Sequence, residues 1–556
     1  MSENKNSHFL VQGSILAAAS LLVRLIGLLY RIPMYRIIGD DGMGAYNYSF
    51  DIYNIALILS SYSLPIAVAK LVAVRGINKE YRNSYRVFLC AMVFAVIVGV
   101  IATMTLFFGA DFFAEYLANS DNAALPIRVL APTIFVFAIM GVFRGFYQGK
   151  NTMMPTAFSQ VLEQVVNAIV SVVASYLLMK NYSEHLNAAA YGAAGGTLGT
   201  LVGAIMGLFF LLFVFILYKP VLNKQFRKDT TPYKESYGSI FKLLVITITP
   251  IILSQTVYQL SGVIDNSLFG HIMATKEVTG FDKSVLKDVT QTRLYTSVDR
   301  DTLIGIYGGK YRLLTNVPVA VASAIGAAIV TSISAAKARG MEGAIRSKVH
   351  SAIKFNMIIA IPSAVGMGVL ASPILKLIYG DSRQLSANFL RLGSIAIIFF
   401  ALSTVSSAIL QGINKLKIPV INSAISLGVH ILLVFGLLMF TPLSAYALVI
   451  GNVTFALVVT ILNWISIEKY LDYKQEIMKT FVIPTVSAGM MGVVAFLTYE
   501  GLYLWTGSNA LSTLLAILNS IIVYLTLLLF MKGVEDEELE SLPGPIIRIL
   551  RKLRLL

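Results

Sequence analysis

The chain has 556 residues, of which 56% are hydrophobic and 13% charged, with a mean hydropathy of +0.75 and a formal net charge of +15. A water-soluble fold cannot enclose so large an apolar fraction, and runs of about 20 apolar residues, each able to cross a bilayer, recur along the chain. Its single cysteine, Cys90, excludes an internal disulfide and a cysteine metal cluster, and its five scattered histidines form no ligand spacing.

Hydropathy predicts an all-α membrane protein of about fourteen helices, at residues 10–38, 45–70, 86–108, 127–149, 156–179, 189–218, 241–270, 305–335, 349–378, 390–413, 418–440, 444–467, 480–504 and 508–532. The charge of the loops supports that count. Lys70, Arg75, Lys79, Arg82 and Arg86 fall in one loop. Lys219, Lys224, Arg227, Lys228, Lys234 and Lys242 fall in a second, and Lys337, Arg339, Arg346, Lys348 and Lys354 in a third. Alternation of fourteen helices puts all three on one face, which the positive-inside rule assigns to the cytoplasm together with both termini. Asp40, Asp41, Asp111, Glu115, Asp121 and Glu500 fall on the other face. The net positive charge is then explained by loop topology, without nucleic acid. The polar N-terminus and Arg24 argue against a cleaved signal peptide.

One hairpin is written twice. The stretch from Arg128 to Leu178 matches the stretch from Arg391 at an offset of 263 residues (391 − 128), pairing Ile134 with Ile397, Phe137 with Phe400, Gln148 with Gln411, Gly149 with Gly412 and Asn151 with Asn414. One extra residue then brings Pro155 to Pro419. Gly39 pairs with Gly270, and Val74-Arg75-Gly76 with Ala338-Arg339-Gly340, the difference in offset marking an insertion at about 271–303. That polar outer loop reads as a lid, a partner contact or a tolerated insertion. The organisation expected is a six-helix bundle at 1–218, a cytoplasmic linker at 219–240, a second six-helix bundle at 241–467 and two further helices at 480–532. Residues 543–556, with Ile546, Ile549, Leu550 and Leu553 on one helical face and Arg548, Arg551, Lys552 and Arg554 largely on the other, read as an amphipathic helix on the anionic inner leaflet.

Charged and polar residues inside the apolar segments carry the functional signal. Arg24 and Arg31 lie in the first helix, Asp51 in the second, Arg144 in the fourth, and Gln160, Glu163 and Gln164 in the fifth. Asp265 lies in the seventh, and Lys310 and Arg312 begin the eighth. An arginine at mid-bilayer costs about 2.5–3.5 kcal/mol on insertion scales, so each needs a partner or a wet cavity. In the first half, Arg24, Arg31 and Arg144 outnumber Asp51 and Glu163, which suits an anionic substrate, phosphate above all. Bland readings stand beside these. Arg144 and Glu163 are close enough in depth for an internal salt bridge, although Glu163 could instead bind a coupling proton or sodium ion. Arg31 either faces the cavity or snorkels to the outer interface, and the bland reading of Asp51 and Asp265 is that they face the outer vestibule. No phosphate-binding Gly-rich loop, zinc spacing or catalytic loop occurs in the sequence, which argues against an ATP-driven pump and against an enzyme.

The segments FRGFYQGKNTMMPTAFSQVLEQVV (143–166), VRLIGLLYRIP (23–33) and GAYNYSFDIYNIALILSSYSLPIAVAKLV (44–72), with the duplicated body, resemble the polysaccharide-biosynthesis and stage V sporulation protein B group of lipid II flippases, within the superfamily of MATE exporters. The resemblance implies a V-shaped, alternating-access transporter that moves an undecaprenyl-pyrophosphate-linked sugar, lipid II foremost, from the inner to the outer leaflet. It implies that cavity arginines hold the pyrophosphate and that the last two helices form a groove for the lipid tail. Arg24 with Gly27 fits the first-helix Arg-x-x-Gly pattern; Arg31 and Arg312 each sit one residue from the family position. Thr315 and Asn316 stand where an acidic residue is expected, and Ser60 and Ser61 where the Gram-negative proteins carry an arginine, which favours the Gram-positive subgroup. The expected cofactor list is empty, with coupling to a proton, a sodium ion or the membrane potential. The expected partners are the lipid-linked glycan, inner-leaflet anionic lipids and the cell-wall synthesis machinery, with a monomer as default. Alternatives are another polyprenyl-linked glycan, a cation-coupled drug antiporter, and a non-transporting scaffold.

Overall fold

A computed structural model describes residues 2–534 except Leu186, Pro232, Lys287, Asp288, Thr290 and Arg339; the amphipathic helix expected at 543–556 lies outside them. The described residues are helical almost throughout, with a lone β-bridge between Glu277 and Leu294. In chain order the helices are α1 (Ser2–Leu57), α2 (Leu64–Ile77), α3 (Tyr81–Phe108), α4 (Ala110–Phe113), α5 (Ala124–Gly149), α6 (Met154–Asn181), α7 (Ala188–Lys228), α8 (Tyr237–Ala274) and α9 (Ser297–Ile306). They continue as α10 (Leu313–Ala338), α11 (Glu342–Val369), α12 (Ala371–Tyr379), α13 (Gln384–Gly393), α14 (Ala396–Gly412), α15 (Lys417–Phe440), α16 (Tyr446–Leu471), α17 (Ile483–Thr506) and α18 (Asn509–Phe530). Among the described residues, 11 helical spans are long and apolar enough to cross a membrane. Leu432 and Phe440 of α15, Leu504 and Trp505 of α17 and Phe530 of α18 are all largely exposed, an arrangement that suits a lipid surround and not water. The protein is a multi-pass membrane protein.

The expected segments are largely helical, but the count of fourteen membrane helices is not confirmed, and there are local differences that have backbone causes. The first two run on as α1, bent at Gly39, whose φ of 74° and ψ of −175° lie where a side chain is disfavoured. Wide π-type turns interrupt the helical runs at Ile58–Tyr62 and Tyr307–Arg312, and another opens the run at Met478–Val482. The two repeated turns share one geometry. The Lys150 and Ile413 amides donate to the carbonyls of Phe146 and Ile409, and those of Thr152 and Lys415 to Tyr147 and Leu410. Asn151 and Asn414 both adopt left-handed backbone, with φ of 58° and 63°, a conformation asparagine tolerates and which closes the helix end.

The described residues cluster into two compact units. The first holds the chain up to Val278 together with Thr290–Gly309, and therefore α1 to α9; the second holds Thr279–Val289 and the chain from Lys310. The repeat in the sequence divides the chain at 219–240 instead. The helix between these two lines, α8, is tied to the first unit by polar contacts. Asn266 donates to Asp51 at 2.9 Å, and Asn119 donates to the Gly270 carbonyl at 3.1 Å.

Inside lipid the hydrophobic effect does not drive helices together, so close packing and hydrogen bonds must. In the first unit α6 and α7 meet along a glycine stripe. A Cβ on Gly195, Gly199 or Gly203 would come within 2.1–2.6 Å of Ser175, Ser171 or Glu163, mostly of backbone atoms. The same approach lets Ser171 and Ser175 donate to the carbonyls of Gly196 and Gly192 at 2.7 and 3.0 Å. Phe88 anchors a ring cluster with Phe143, Phe146 and Phe215, at centroid distances of 5.4, 5.0 and 5.3 Å. In the second unit α10, α11 and α14 share a core with α17, while α15 and α16 are joined by amides. Asn422 donates to Asn463 at 2.9 Å, and Asn463 donates to Ser406 and Ser407 at 3.0 and 2.9 Å. The final helix, α18, docks on α11 through the Tyr524 hydroxyl, which donates to the Ile358 carbonyl at 2.9 Å.

Candidate functional site

The polar residues expected to form a site in the first unit lie mainly on α1, α5 and α6. The α5–α6 turn folds the two helices back on each other, so residues at similar distance from the turn share a depth. Arg144 lies seven residues before the turn at Asn151, and Glu163 twelve after it. Arg144 donates from Nη2 to Glu163 Oε2 at 2.7 Å and from Nε to Ser159 Oγ at 3.0 Å. Of the two readings the sequence left open, this conformation takes the ion pair. Ser159 is itself fixed by donating to the Thr156 carbonyl at 2.8 Å. Tyr53, fully enclosed, lies within electrostatic reach of Glu163, and its hydroxyl has no hydrogen-bond partner.

Arg31 is arranged differently. Its guanidinium lies 5.6 Å from the Tyr46 ring centroid and 5.9 Å from that of Phe50, with the Tyr30 and Tyr46 hydroxyls beside it. Those two hydroxyls are 3.2 Å apart. No carboxylate pairs with Arg31 among the described residues, and its Nε is buried without a partner. Ring faces attract the cation but accept few of its five N–H donors. Such a guanidinium retains capacity for phosphate oxygens, whereas that of Arg144 is committed to Glu163 and Ser159.

The other expected site residues fall in several places. Arg24 lies seven residues before Arg31 on the same helical face, about 10 Å along the axis, and is exposed. Gln164 approaches α1 where Gly27 leaves room, its Nε2 only 3.2 Å from the position a Cβ would take there. Gln160 carries a buried Oε1 without a partner. Asp51 accepts from Asn266 and faces Gly262 of α8, while Asp265 is buried at 4% exposure. Arg312 belongs to the second unit, half-buried at the end of the π turn before α10.

Two sets of residues escaped sequence reasoning. The first is the aromatic lining of Tyr30, Tyr46, Phe50 and Tyr53. Its last three members recur at 46, 50 and 53, one face of a helix, and that spacing within YNYSFDIY was the available signal. The second is Asp381, between α12 and α13, which pairs with the buried Lys310 and accepts from Arg383 Nε at 2.8 Å and Ser386 Oγ at 2.7 Å. These partners are up to 71 residues apart, and no local pattern joins them. Among the described residues no group of three or more His, Cys, Asp or Glu is placed to hold a metal ion.

Residues 10–336 match the family described as polysaccharide biosynthesis protein, and residues 312–436 match the MatE family. The lipid II flippase MurJ of Bacillus subtilis (strain 168) is 27% identical over 492 residues, covering 86% of this chain and 86% of that protein. Stage V sporulation protein B of the same organism is 24% identical over 536 residues, covering 96% of this chain and 98% of that protein. Among solved structures, lipid II flippase MurJ in an inward closed conformation aligns with a TM-score of 0.62 at 15% identity, over 93% of this chain and 98% of that one, and so shares the fold. The first family match alone spans more than half of the sequence: the chain belongs to the polysaccharide biosynthesis protein family.

Proposed function

We propose that this protein is a flippase that carries an undecaprenyl-pyrophosphate-linked sugar precursor, lipid II foremost, from the inner to the outer leaflet by alternating access. It is a transporter and not an enzyme, as its flippase relatives are. The observation that carries the reading is Arg31: a guanidinium in an apolar helix, beside the rings of Tyr46 and Phe50, with no carboxylate partner among the described residues and with a buried Nε that no group accepts. A pyrophosphate is the ligand that such a fork fits best. Arg24, on the same face of α1, extends the positive track. Arg144 and Glu163 hold each other and position α6, with Gln160 and Gln164 turned to the sugar. Asp51 and Asp265 take a coupling proton or sodium ion.

The direction of transport has a physical source. One charge crossing 100 mV is worth about 2.3 kcal/mol, and a cell negative inside drives a pyrophosphate outward without a nucleotide. Both termini are assigned to the cytoplasm of a bacterial cell, on the loop charges. The protein works as a monomer beside the cell-wall synthesis machinery, with residues 543–556 on the inner leaflet. A second reading has one observation in its favour. The match to stage V sporulation protein B covers more of the chain than the match to MurJ, and another polyprenyl-linked glycan would be carried by the same pyrophosphate chemistry.

The test is complementation of cells depleted of their own lipid II flippase, with wild type beside Arg31→Ala at matched membrane levels. Rescue by wild type alone is the expected result. Rescue by both proteins would remove Arg31 from the site, and failure of well-expressed wild type would transfer the proposal to the other glycan.

A further inference from the structure

The two units treat their basic face differently. In the first unit that face is closed by the chain itself. Glu235 clamps Arg75, accepting from Nε at 2.8 Å and also from Nη2. Asp229 accepts from the Arg82 amide at 2.6 Å, Asn83 donates to the Tyr233 carbonyl at 3.1 Å, and Lys150 donates to Gln225 at 3.1 Å. The linker after α7 therefore lays two carboxylates onto the turn that joins α2 to α3, while Gln225 of α7 meets Lys150 in the turn that joins α5 to α6.

In the second unit the equivalent turns, α10 to α11 and α14 to α15, border an open cavity of about 560 Å³. Its lining includes Lys337, Arg346, Lys415 and Lys469, with Glu342 and Asp472 as the acids. Arg346 is the sequence counterpart of Arg82, at an offset of 264 residues (346 − 82). Its side chain takes Asp472 at 3.6 Å and the Leu471 carbonyl at 2.9 Å, so an aspartate meets this arginine in both units, although Asp229 is reached by the backbone amide of Arg82. The likeness stops there. The next acid along, Glu476, does not turn back to clamp a cation as Glu235 does. It accepts from the amides of Lys479 and Thr480 at 2.7 and 2.9 Å and so caps its own helical turn. No carboxylate pairs with Lys337, Lys415 or Lys469 among the described residues; Lys415 instead stacks on the Tyr470 ring at 4.4 Å. The positive-inside rule accounts for basic loops, but not for a concavity that three separate turns enclose, with four cations against two acids.

We propose that this cavity is an anion-binding site for a phosphate group, which fills the place that Glu235 fills in the first unit. The chemistry is that of a phosphate oxyanion received by Lys337, Lys415 and Lys469, with Arg346 held by Asp472 at the rim. A phospholipid headgroup and free inorganic phosphate both present it. The proposal does not depend on which substrate the protein transports.

The full chain is reconstituted in phosphatidylcholine nanodiscs and its thermal unfolding followed against inorganic phosphate, then in nanodiscs containing phosphatidylglycerol. The variants are Lys469→Gln, Lys415→Gln/Lys469→Gln and the charge-conserving Lys415→Arg/Lys469→Arg. Lys469 is exposed and makes no ion pair among the described residues, so its replacement leaves the fold intact. Lys224→Gln, an exposed lysine of the first unit, is the control for general charge. Wild type is expected to be stabilised by the anion, since a ligand that binds only the folded state raises its stability by mass action. Lys469→Gln weakens the response roughly tenfold and the Gln pair further, while the Arg pair and Lys224→Gln keep it, as loss of a charged hydrogen bond implies. That pattern with inorganic phosphate identifies a soluble phosphate as sufficient; the same pattern only with phosphatidylglycerol identifies the lipid headgroup. An equal response in wild type and the Gln pair, or no response of wild type to either source, overturns the proposal.

Discussion

At the offset that superposes the two repeated turns, Arg144 of α5 corresponds to Ser407 of α14, and past the extra residue Glu163 of α6 corresponds to Leu427 of α15. Ser159 keeps its serine, as Ser423. The second hairpin folds into the same turn with the same left-handed asparagine, so the hairpin itself does not require the ion pair. Its helices are joined by neutral groups: Ser407 receives a hydrogen bond from Asn463, and Leu427 is simply buried. A charge pair in one copy at a place where the other copy manages with neutral residues is expected to serve the work of that copy more than its folding. The same contrast separates the helices packed alongside. A glycine stripe on α7 meets α6, and an amide network links α16 to α15.

The glycine stripe gives the largest expected effect. Gly199→Leu would drive a Cβ to 2.1 Å from Ser171 Oγ and 2.5 Å from its backbone nitrogen, neither of which can yield without parting the helices. The variant is expected to fail to give a monodisperse protein in detergent. Gly428→Leu in α15, where no atom lies within 4 Å of the added Cβ, is expected to purify as wild type. Equal behaviour of the two variants would show that the first unit is not held by close helix approach.

The ion pair comes next. Arg144→Ser alone leaves Glu163 buried with neither cation nor compensating donor, and should cost about 3 kcal/mol in unfolding experiments. Arg144→Ser/Glu163→Leu installs the residues of the second copy, and stability is expected to return to within about 1 kcal/mol of wild type. Rescue of flippase-depleted cells is expected to remain lost. A double variant that is stable and active would reduce the pair to a packing choice.

Each unit also has a buried aspartate outside its membrane spans whose carboxyl is strongly shifted, and the two should titrate in opposite directions. Asp301 of α9 is wholly enclosed. It has one amide partner, Asn122 at 3.0 Å, with Ser120 and the Arg300 charge near it, Asp41 opposing, and the Tyr48 ring alongside. Burial pushes its carboxyl up to about 7. The folded state then keeps a proton that the unfolded chain has released, so stability falls as pH rises from about 4 to 7, by at most about 1.4 kcal/mol per pH unit. Asp301→Asn should unfold at a higher temperature than wild type at pH 8, with the gain vanishing toward pH 4. Asp381 is pushed up by burial too, but Arg383 and Lys310 outweigh it and hold the carboxyl well below the usual aspartate range. Its contribution is present above about pH 4 and is lost as pH falls further. Asp381→Asn should therefore lower the unfolding temperature at pH 7 and matter less in acid. Parallel pH profiles for the two variants would contradict this assignment.

Hydropathy made the helices legible because each span must be apolar over a fixed length, whatever its neighbours. The paired asparagine turns were legible because they are local. Gly39 was visible only as a boundary between two helices, since the letter G does not say whether it bends a helix or, like Gly270 against the Ala118 carbonyl, makes room for a neighbour. The Arg144–Glu163 pair could be reached by counting from a turn. The ring cage of Arg31 and the Lys310–Asp381–Arg383 cluster could not, because both depend on which helical face meets which partner across the fold. Nor could the open cavity beside Lys469, which exists because Glu476 caps a helix where Glu235 clamps an arginine.

The smallest effect tests how the second copy manages without charge. Asn463 donates to both Ser406 and Ser407 and accepts from Asn422, so three helices meet at one amide. Interhelical hydrogen bonds in membranes average about 0.6 kcal/mol each, because an unfolded helix in lipid also finds partners. Asn463→Ala should therefore cost roughly 1–2 kcal/mol, less than breaking the Arg144 pair, and Ser407→Ala less again, since Asn463 keeps Ser406. Adding Ser407→Ala to Asn463→Ala should change little, because the bond they share is already gone. If Asn463→Ala instead cost as much as Arg144→Ser, the neutral junction would be as indispensable to its unit as the charged one, and the ion pair would no longer mark the first copy as the half that meets the substrate.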